Sequence, residues 1–259
     1  MKKRGFTLAE ILVTLAVIGV LAALVTPALM QSSRDKANAA KLSSTISNIE
    51  KAFQTAIVSE GASSLYDTQL WSSSPINATN GDRKQFVETL DRYLNTNGFY
   101  DSFSDFYGST TVYSLTDGGK KGASIDNFPY ISDTFAIRMS NGALLFLSTF
   151  NNKDSLAEQT RIAKSNDCSL YTQAADVAID INGVDAPNVV GKDIFFFILG
   201  EDGVLYPFGG NDVARVTDGG EWNSADATFA CTNNTKGAAN AKGLGCTARI
   251  IAEGYKVNY

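Results

Sequence analysis

An apolar N-terminal run constrains this chain more than any other feature. A block of three cations at residues 2–4 precedes Gly5, and the 25 residues from Phe6 to Met30 contain a single charged side chain, Glu10. At about 1.5 Å per residue, a helix of this length crosses a hydrocarbon core of roughly 30 Å. The positive-inside tendency keeps the cations in the cytoplasm and sends everything after the run to the opposite side. We therefore predict a single-pass membrane segment.

Glu10 is the anomaly in this run. A carboxylate inside a membrane-spanning segment costs about 3 kcal/mol on insertion scales, so it needs a partner and a reason. Snorkelling to the interface is the simpler explanation, because Glu10 lies only one turn into the run. The apolar run alone does not decide whether Glu10 has a charged partner or reaches the membrane interface.

The order of residues around Gly5 carries a family resemblance. The string KRGFTLAE followed by an apolar run resembles the N-terminal signature of type IV prepilins and type II secretion pseudopilins in order, spacing and charge placement. In that family a membrane prepilin peptidase cuts after the glycine on the cytoplasmic face, and the new N-terminal residue is N-methylated. The resemblance implies that residues 1–5 are a leader, that cleavage occurs between Gly5 and Phe6, and that Phe6 is methylated.

The resemblance also gives Glu10 a partner. The freed α-amine of Phe6 has a reference pKa of about 7.7 to 8.0, so it is largely cationic at neutral pH and can neutralise a carboxylate in apolar surroundings. Within one helix the amine lies about one turn from Glu10. Between staggered neighbours the amine of one subunit meets Glu10 of the next, which sets the axial register of a helical filament.

The partners and location that follow from the resemblance are those of a filament subunit. The expected partners are homologous pilin or pseudopilin subunits, the prepilin peptidase, and an inner-membrane assembly platform with its ATPase. The energy has to come from that ATPase, since nothing in the sequence resembles a phosphate-binding loop. The expected location is the inner membrane before assembly, and the periplasm or a cell-surface filament afterwards.

Two other interpretations of the N-terminus stay open at this point. A secretory signal peptide would have an apolar core of roughly 7 to 15 residues and then a small-residue cleavage site. This run is longer, and the nearest such site, Ala37 to Ala39, lies beyond three charged residues. The second alternative is an uncleaved anchor that holds an extracytoplasmic enzyme or binding protein at the membrane.

Composition narrows the function classes. The chain has no histidine, which removes Ser-His-Asp and Cys-His nucleophile systems and all histidine-based metal sites. Loss of the leader would leave 19 basic against 27 acidic side chains, a net charge of −8, and this argues against nucleic-acid binding. With 44% hydrophobic and 19% charged residues the composition is that of a globular protein. We predict a non-enzymatic protein with a folded head.

One long helix is predicted from Phe6 to Glu60. Residues 6–30 form its membrane or filament-core part, and residues 31–60 form an amphipathic continuation. The apolar positions of the continuation recur at steps of three and four and so share one face, while a coiled-coil dimer is the alternative. That face consists of Leu42, Ile46, Ile49, Phe53 and Ala56 or Ile57.

Pro27 interrupts the apolar run near its far end. A proline in a helix interior removes one hydrogen bond and clashes with the preceding turn, so a kink or local melting is expected between Ile18 and Pro27. The resemblance implies that the helix stretches here when it enters a filament, and an ordinary tolerated membrane proline is the alternative.

Residues 61–259 are predicted to form an extracytoplasmic head, which makes the whole an α+β, pilin-like fold with a mostly antiparallel sheet. Residues 62–82 are rich in turn formers and predict a loop, and Arg83 to Leu94 predicts a short helix. A hairpin turns at Asn141-Gly142. Ser155 to Lys164 predicts another short helix. The predicted strands are Thr110 to Thr116, Thr134 to Met139, Ala143 to Phe150, Val177 to Ile181, Ile194 to Leu199 and Val204 to Tyr206.

One loop carries oxygen ligands at close spacing. Five Asp and Asn side chains fall between residues 180 and 193, at the end of one predicted strand and in the loop before the next, and hard cations such as calcium use such oxygens. The loop is not an EF-hand, because its spacing drifts and no terminal glutamate follows. Major pseudopilins bind calcium in a late loop of this kind, so the resemblance favours calcium, and a plain Asx-rich turn is the alternative. The candidate ligands are Asp180, Asn182, Asp185, Asn188 and Asp193.

The three cysteines allow one disulfide and one leftover thiol. With the head outside the cytoplasm, oxidation is expected. We favour the pair Cys231 and Cys246, a pairing that the resemblance supports because many pilins link their C-terminal region in this way. One alternative is a disulfide between Cys168 and either of these two cysteines. The other is that all three thiols are reduced.

Overall fold

The computed structural model describes residues 7–72, 80–108, 110–116, 120–125, 135–149, 161–163, 170–210, 231 and 243–256. Its first element is a single α-helix, α1, from Leu8 to Ser59. The helix ends with Glu60 at its C-terminal cap, and Gly61 follows with a φ of 64°. A left-handed glycine after the last turn is a common way to end a helix. The sequence-based prediction of one long N-terminal helix is confirmed.

The two halves of α1 differ in what they contact. Up to Met30 the described apolar side chains are exposed, whereas from Ala39 onward one face is buried against the head. The buried face is the one that the periodicity predicted, with Ile57 partly buried at its edge. Its fully enclosed members are Leu42, Ile49, Phe53 and Ala56.

The helix is continuous through Pro27, so the predicted local melting between Ile18 and Pro27 does not occur in this structure. Proline removes only one hydrogen bond from the ladder, and neighbouring turns of a long helix hold the segment in place.

Short helices follow α1. A 3-10 turn at Leu65–Asp67 and a one-turn helix, α2, at Gln69–Ser72 lie inside the region predicted as a loop, because Leu65, Leu70 and Trp71 are buried against α1. Helix α3 spans Asn80–Leu90, which shifts the predicted helix of Arg83 to Leu94 towards the N-terminus. Helix α4 spans Phe103–Tyr107.

The described strands form two antiparallel sheets. The strands are β1 Thr96–Tyr100, β2 Val112–Thr116, β3 Lys120–Ile125, β4 Phe135–Met139, β5 Leu144–Thr149, β6 Arg161–Ala163, β7 Leu170–Asp180, β8 Ile194–Gly200 and β9 Leu205–Pro207. The larger sheet has seven strands in the order β1-β4-β5-β7-β8-β9, with β6 also pairing with β7. The smaller sheet consists of β2 and β3. The α+β fold with a mostly antiparallel sheet is therefore confirmed.

The larger sheet is buried on both faces. Side chains alternate along a strand, so in β8 Phe195 and Phe197 join the core against α1, while Phe196 and Ile198 join a second core on the other face. Helix α4, strand β2 and the segment after β9 cover this second face. The two layers bring the end of β7 and the start of β8 under α4, where the polar loop described below lies.

One short segment differs from prediction. Residues 161–163, predicted within a helix, form strand β6, because they pair with Thr172, Tyr171 and Leu170 of β7.

The last described element is a helix, α5, from Cys246 to Ala252. It contacts β8, where the Phe196 N–H donates to Thr247 Oγ1 at 2.9 Å. Its Ile250 is fully buried in the core between the sheet and α1.

Candidate functional sites

The first candidate site is the start of α1. Thr7 caps the helix, and its backbone N–H and its hydroxyl both donate to Glu10 Oε2, at 2.8 and 2.9 Å. The Glu10 backbone N–H donates in return to Thr7 Oγ1 at 3.3 Å. This reciprocal pattern is a capping box, which satisfies donors that a helix start leaves unpaired. The carboxylate of Glu10 is therefore fixed beside the first turn. The other two residues of this site, Gly5 and Phe6, lie outside the described residues.

The surface that follows Glu10 is apolar on all sides. The 19 residues Leu8–Thr26 are long and apolar enough to cross a membrane, and none of them is buried in the structure. Isoleucine, leucine and valine side chains in this segment are about half exposed or more. A contiguous apolar surface of this extent in a folded protein marks a contact with lipid or with other protein.

The second candidate site is the polar loop between β7 and β8. Asp180 ends β7 and Asp193 immediately precedes β8, and both are fully buried. Asp180 Oδ1 accepts the backbone N–H groups of Asn182 and Gly183, at 3.0 and 2.8 Å. Asp193 accepts two more backbone N–H groups, from Val189 on Oδ1 and from Asn188 on Oδ2, each at 2.7 Å. The two carboxylates hold the loop in shape.

The remaining carboxylate oxygen has a side-chain donor. The Tyr107 hydroxyl, on α4, donates to Asp180 Oδ2 at 2.6 Å. The two residues are 73 positions apart. No local sequence pattern connects Tyr107 to Asp180.

Two amide oxygens in this loop have no hydrogen-bond partner among the described residues. Asn182 Oδ1 and Asn188 Oδ1 are both buried. Their Nδ2 groups are used, since Asn182 donates to the Asp185 carbonyl at 2.7 Å and Asn188 donates to the Val184 carbonyl at 3.0 Å. A buried acceptor without a donor is unfavourable, so each of these oxygens can accept a water molecule or contact a cation.

Burial also disfavours charge on the two aspartates. Burial, together with the negative charge of Asp193, raises the pKa of Asp180 to about 8. Burial raises the pKa of Asp193 to about 6, although its backbone hydrogen bonds act in the opposite direction. The negative charge of each aspartate therefore disfavours ionisation of the other.

The calcium prediction can be compared with the oxygen atoms that this loop offers as ligands. Calcium takes six to eight oxygen atoms from carboxylates, amide carbonyls and water. Asp180, Asp193, Asn182 and Asn188 carry oxygens of this kind within one loop, and two of those oxygens lack protein donors. Asp185 is exposed and lines a groove of about 550 Å³ that also contains cations of Arg34 and Lys192. Four of the five predicted ligands therefore fit a hard cation in their chemistry. Within the described parts of the chain, no group of three or more His, Cys, Asp or Glu side chains gathers.

A disulfide borders this loop. Cys231 and Cys246 are joined, which is the pairing favoured from the sequence. Cys168 lies outside the described residues. A Cβ atom added at Gly191 would lie 2.9 Å from Cys246 Cβ, and Gly191 has a φ of 86°, so only glycine fits between the loop and the disulfide.

Comparison with known families bears on the first site. Residues 1–26 match the prokaryotic N-terminal methylation motif. The chain carries the type IV pilin and pseudopilin signature. No curated protein and no solved structure matches the chain. The matched residues include Gly5, Phe6, Glu10 and the apolar start of α1, and the match stops before the head begins.

The signature and the structure together support a membrane-anchored, pilin-like precursor. The signature points to a structural family rather than to an enzyme. It also supports assembly with other pilin subunits and recognition by prepilin peptidase.

Proposed function

We propose that this protein is a structural subunit, pilin or pseudopilin, of a type IV pilus-like filament. Prepilin peptidase cleaves the precursor after Gly5, Phe6 is N-methylated, and the mature chain assembles through its N-terminal helix. The observation that carries this proposal is the wholly exposed apolar segment Leu8–Thr26, which holds one carboxylate, Glu10, at the fifth position after the proposed cleavage site.

The exposed segment requires an apolar environment throughout the life of the protein. In the precursor the inner membrane supplies it, with the cations of residues 2–4 on the cytoplasmic side. Once the helix leaves the lipid, only other apolar helices can replace that environment. Copies of the same segment in a helical filament meet this requirement, and residues 6–30 then form the filament core.

Glu10 gives the filament its register. Its carboxylate requires a counter-charge in apolar surroundings, and the amine of Phe6 exists only after cleavage. Pairing the amine of one subunit with Glu10 of its neighbour fixes the axial offset between them. Pro27 is the position at which the helix adjusts on entering the filament.

The remaining roles follow from this assignment. Residues 1–5 are the leader, residues 31–60 continue the helix into the head, and residues 61–259 form the head outside the cytoplasm. An inner-membrane platform and its ATPase supply the energy of extraction. Before assembly the protein is a single-pass inner-membrane protein, and afterwards it lies in the periplasm or at the cell surface.

A deletion strain tests the filament assignment. A pilus subunit predicts that imaging finds surface fibres lost on deletion and restored by the wild-type chain. A secretion pseudopilin predicts that exoprotein secretion fails instead. A head of about 200 residues is large for a repetitive subunit and favours a minor or tip role. An uncleaved, membrane-tethered binding protein or enzyme would leave both fibres and secretion intact, which would contradict the proposal.

As a second role, we propose that the loop between β7 and β8 binds calcium. The observation that favours it is the pair of buried amide oxygens without partners beside two buried carboxylates. Calcium bound only by the folded state raises the melting temperature, so a chelator should lower it in the wild-type protein. Asp193→Asn should remove this shift, while the exposed control Asp185→Asn should keep it. A melting curve that does not change with chelator would reject the role.

A further inference from the structure

The loop between β7 and β8 lies at the end of the head that is closest to the apolar segment. It borders the groove of about 550 Å³ together with the turn of α1 at residues 34–38. The turn between β4 and β5 meets α1 further along, where the Asn141 side chain donates to Thr45 Oγ1 at 2.9 Å. Among the described residues, the first buried side chain of α1 is Ala39. The loop therefore reaches the level at which α1 leaves the head.

The continuous helix determines how far this loop lies from the lipid. Exposed apolar side chains continue along α1 to Leu29 and Met30, and Arg34 is the first charged residue after them. At a rise of 1.5 Å per residue, Arg34 lies roughly 6 Å beyond Met30 along the helix axis. The headgroup layer on each side of a hydrocarbon core is about 5 to 7 Å thick. In the membrane-anchored protein, Arg34 and the loop beside it therefore lie at the level of the phospholipid headgroups.

The apolar part of α1 is longer than a hydrocarbon core is thick. From Leu8 to Met30 the helix is continuous and rises about 33 Å, whereas the core is roughly 30 Å thick. A helix that exceeds the thickness of the core tilts. A tilt towards the loop lowers the loop onto the membrane surface.

The loop and the helix turn beside it have the composition of an interfacial site. Val184 is 46% exposed, and Ala186 is exposed next to it. Lys36 is an exposed cation at the same level of α1. Long cationic side chains reach lipid phosphates while apolar side chains enter the headgroup layer. Two further cations and two acids line the adjacent groove: Arg34, Lys192, Asp35 and Asp185.

We propose that the loop between β7 and β8 docks on the surface of the anchoring membrane, on the side of the head. Val184 and Ala186 enter the headgroup layer, and Arg34 and Lys192 bind lipid phosphates. The contact holds the head against the bilayer while the helix spans it. This docking requires the membrane anchor alone, so it depends neither on the filament assignment nor on the calcium role.

Fluorescence quenching by labelled lipids tests the docking. Full-length protein with Cys168→Ser and an intact disulfide is reconstituted into vesicles of phosphatidylcholine and phosphatidylglycerol. An environment-sensitive dye is attached at Val184→Cys, and a spin label on the lipid headgroup should quench it. Val58→Cys is the matched control and should not be quenched, because Val58 is 79% exposed but lies roughly 40 Å beyond Met30 along α1.

A charge reversal tests the contact with phosphate. Arg34→Glu, combined with the labelled Val184→Cys, should weaken the quenching. The ratio of docked to undocked loop should fall by about tenfold or more, because each charge near an anionic surface changes binding severalfold. Lys51→Glu is the control and should leave the quenching unchanged, since Lys51 is an exposed cation of α1 that lines a different groove, further from the membrane.

The outcomes separate the docking from the membrane anchor. Equal quenching at residues 184 and 58 would overturn the docking. Quenching at residue 184 that survives Arg34→Glu, or that falls as much with Lys51→Glu, would show that the cations beside the loop do not hold it and would overturn the proposal too. Val17→Cys, in the apolar segment, checks the anchor with a quencher on the acyl chains. Without quenching at residue 17 the docking and the anchor are both rejected, whereas the deletion strain tests the filament assignment separately.

Discussion

Thr7 and Glu10 form a reciprocal pair at the start of α1, in which one Glu10 oxygen accepts both the backbone N–H and the hydroxyl of Thr7. The pair fixes the only acidic side chain of the apolar segment beside the first turn of the helix. In the proposed filament, this carboxylate is the group that meets the amine of a neighbouring subunit. The predictions about assembly start from this pair.

Glu10→Ala should permit cleavage of the leader and prevent incorporation into filaments. The peptidase acts at Gly5, whereas the neighbour's amine requires a carboxylate to set its register. Immunoblots of whole cells and of the sheared filament fraction measure both steps. Ser44→Ala, an exposed polar position on the same helix, is the control and should assemble normally. Filaments of normal abundance from Glu10→Ala would defeat the assignment.

Thr7→Ala should loosen the first turn of α1 without affecting the head. Loss of a threonine cap typically destabilises a helix start by about 1 kcal/mol. Amide hydrogen exchange in detergent should therefore accelerate at Leu8 to Ile11 and stay unchanged in the sheet. Thr26→Ala serves as the control, because the Thr26 hydroxyl bonds to the Ala22 carbonyl inside the helix and caps nothing. Equal exchange in the first turn of both variants would show that the capping box contributes nothing.

Glu50 should make the head less stable as the pH rises. Burial raises the pKa of this half-buried glutamate above its ordinary value of 4.5, and the charge of Asp202 adds to the effect. The folded state then holds the proton more tightly than the unfolded state, so the unfolding free energy falls as the pH rises above about 4.5. The predicted loss of stability occurs at pH values above the ordinary pKa of a glutamate and not at more acidic pH.

Glu50→Gln tests this pH dependence, because glutamine can still accept the Leu205 N–H that lies 3.0 Å from Glu50 Oε1. Melting temperatures between about pH 4 and about pH 7 should fall less for Glu50→Gln than for the wild type. The control is Glu88→Gln, an exposed partner of Lys84 that contributes little. A melting temperature that falls more steeply with pH in Glu50→Gln than in the wild type would contradict this prediction.

Reduction of the disulfide between Cys231 and Cys246 should destabilise the head by about 3 kcal/mol in the chain-entropy account of a 15-residue separation. Chemical denaturation of Cys231→Ser/Cys246→Ser, compared with wild type under non-reducing conditions, measures the loss. Cys168→Ser is the thiol control and should leave stability near the wild-type value. If Cys168→Ser matched the double variant instead, a different pairing would be present in solution.

The long helix could be predicted because local rules determine it. Its apolar run, the steps of three and four from Leu42 to Ala56, and Gly61 after its end are all properties of neighbouring residues. The hairpin between β4 and β5 was predicted for the same reason, since Asn141-Gly142 forms a turn and Gly142 has a φ of 79°.

Features that depend on distant contacts could not be predicted. Residues 161–163 lie in a strand because β7 offers them an edge, and no local pattern contains that information. The buried Leu65 and Trp71 turned a predicted loop into two short helical segments. At the loop between β7 and β8, candidate ligands could be predicted by residue type, but no local pattern distinguished exposed Asp185 from buried Asp193. Tyr107 was missed because its contact with Asp180 spans 73 positions.

The mass of the intact protein, purified from its native host, tests the central claim most directly. A filament subunit has lost residues 1–5 and has gained one methyl group on Phe6, and the account predicts that mass. A chain that still begins at Met1 would lack the amine that pairs with Glu10, and this result would contradict the account.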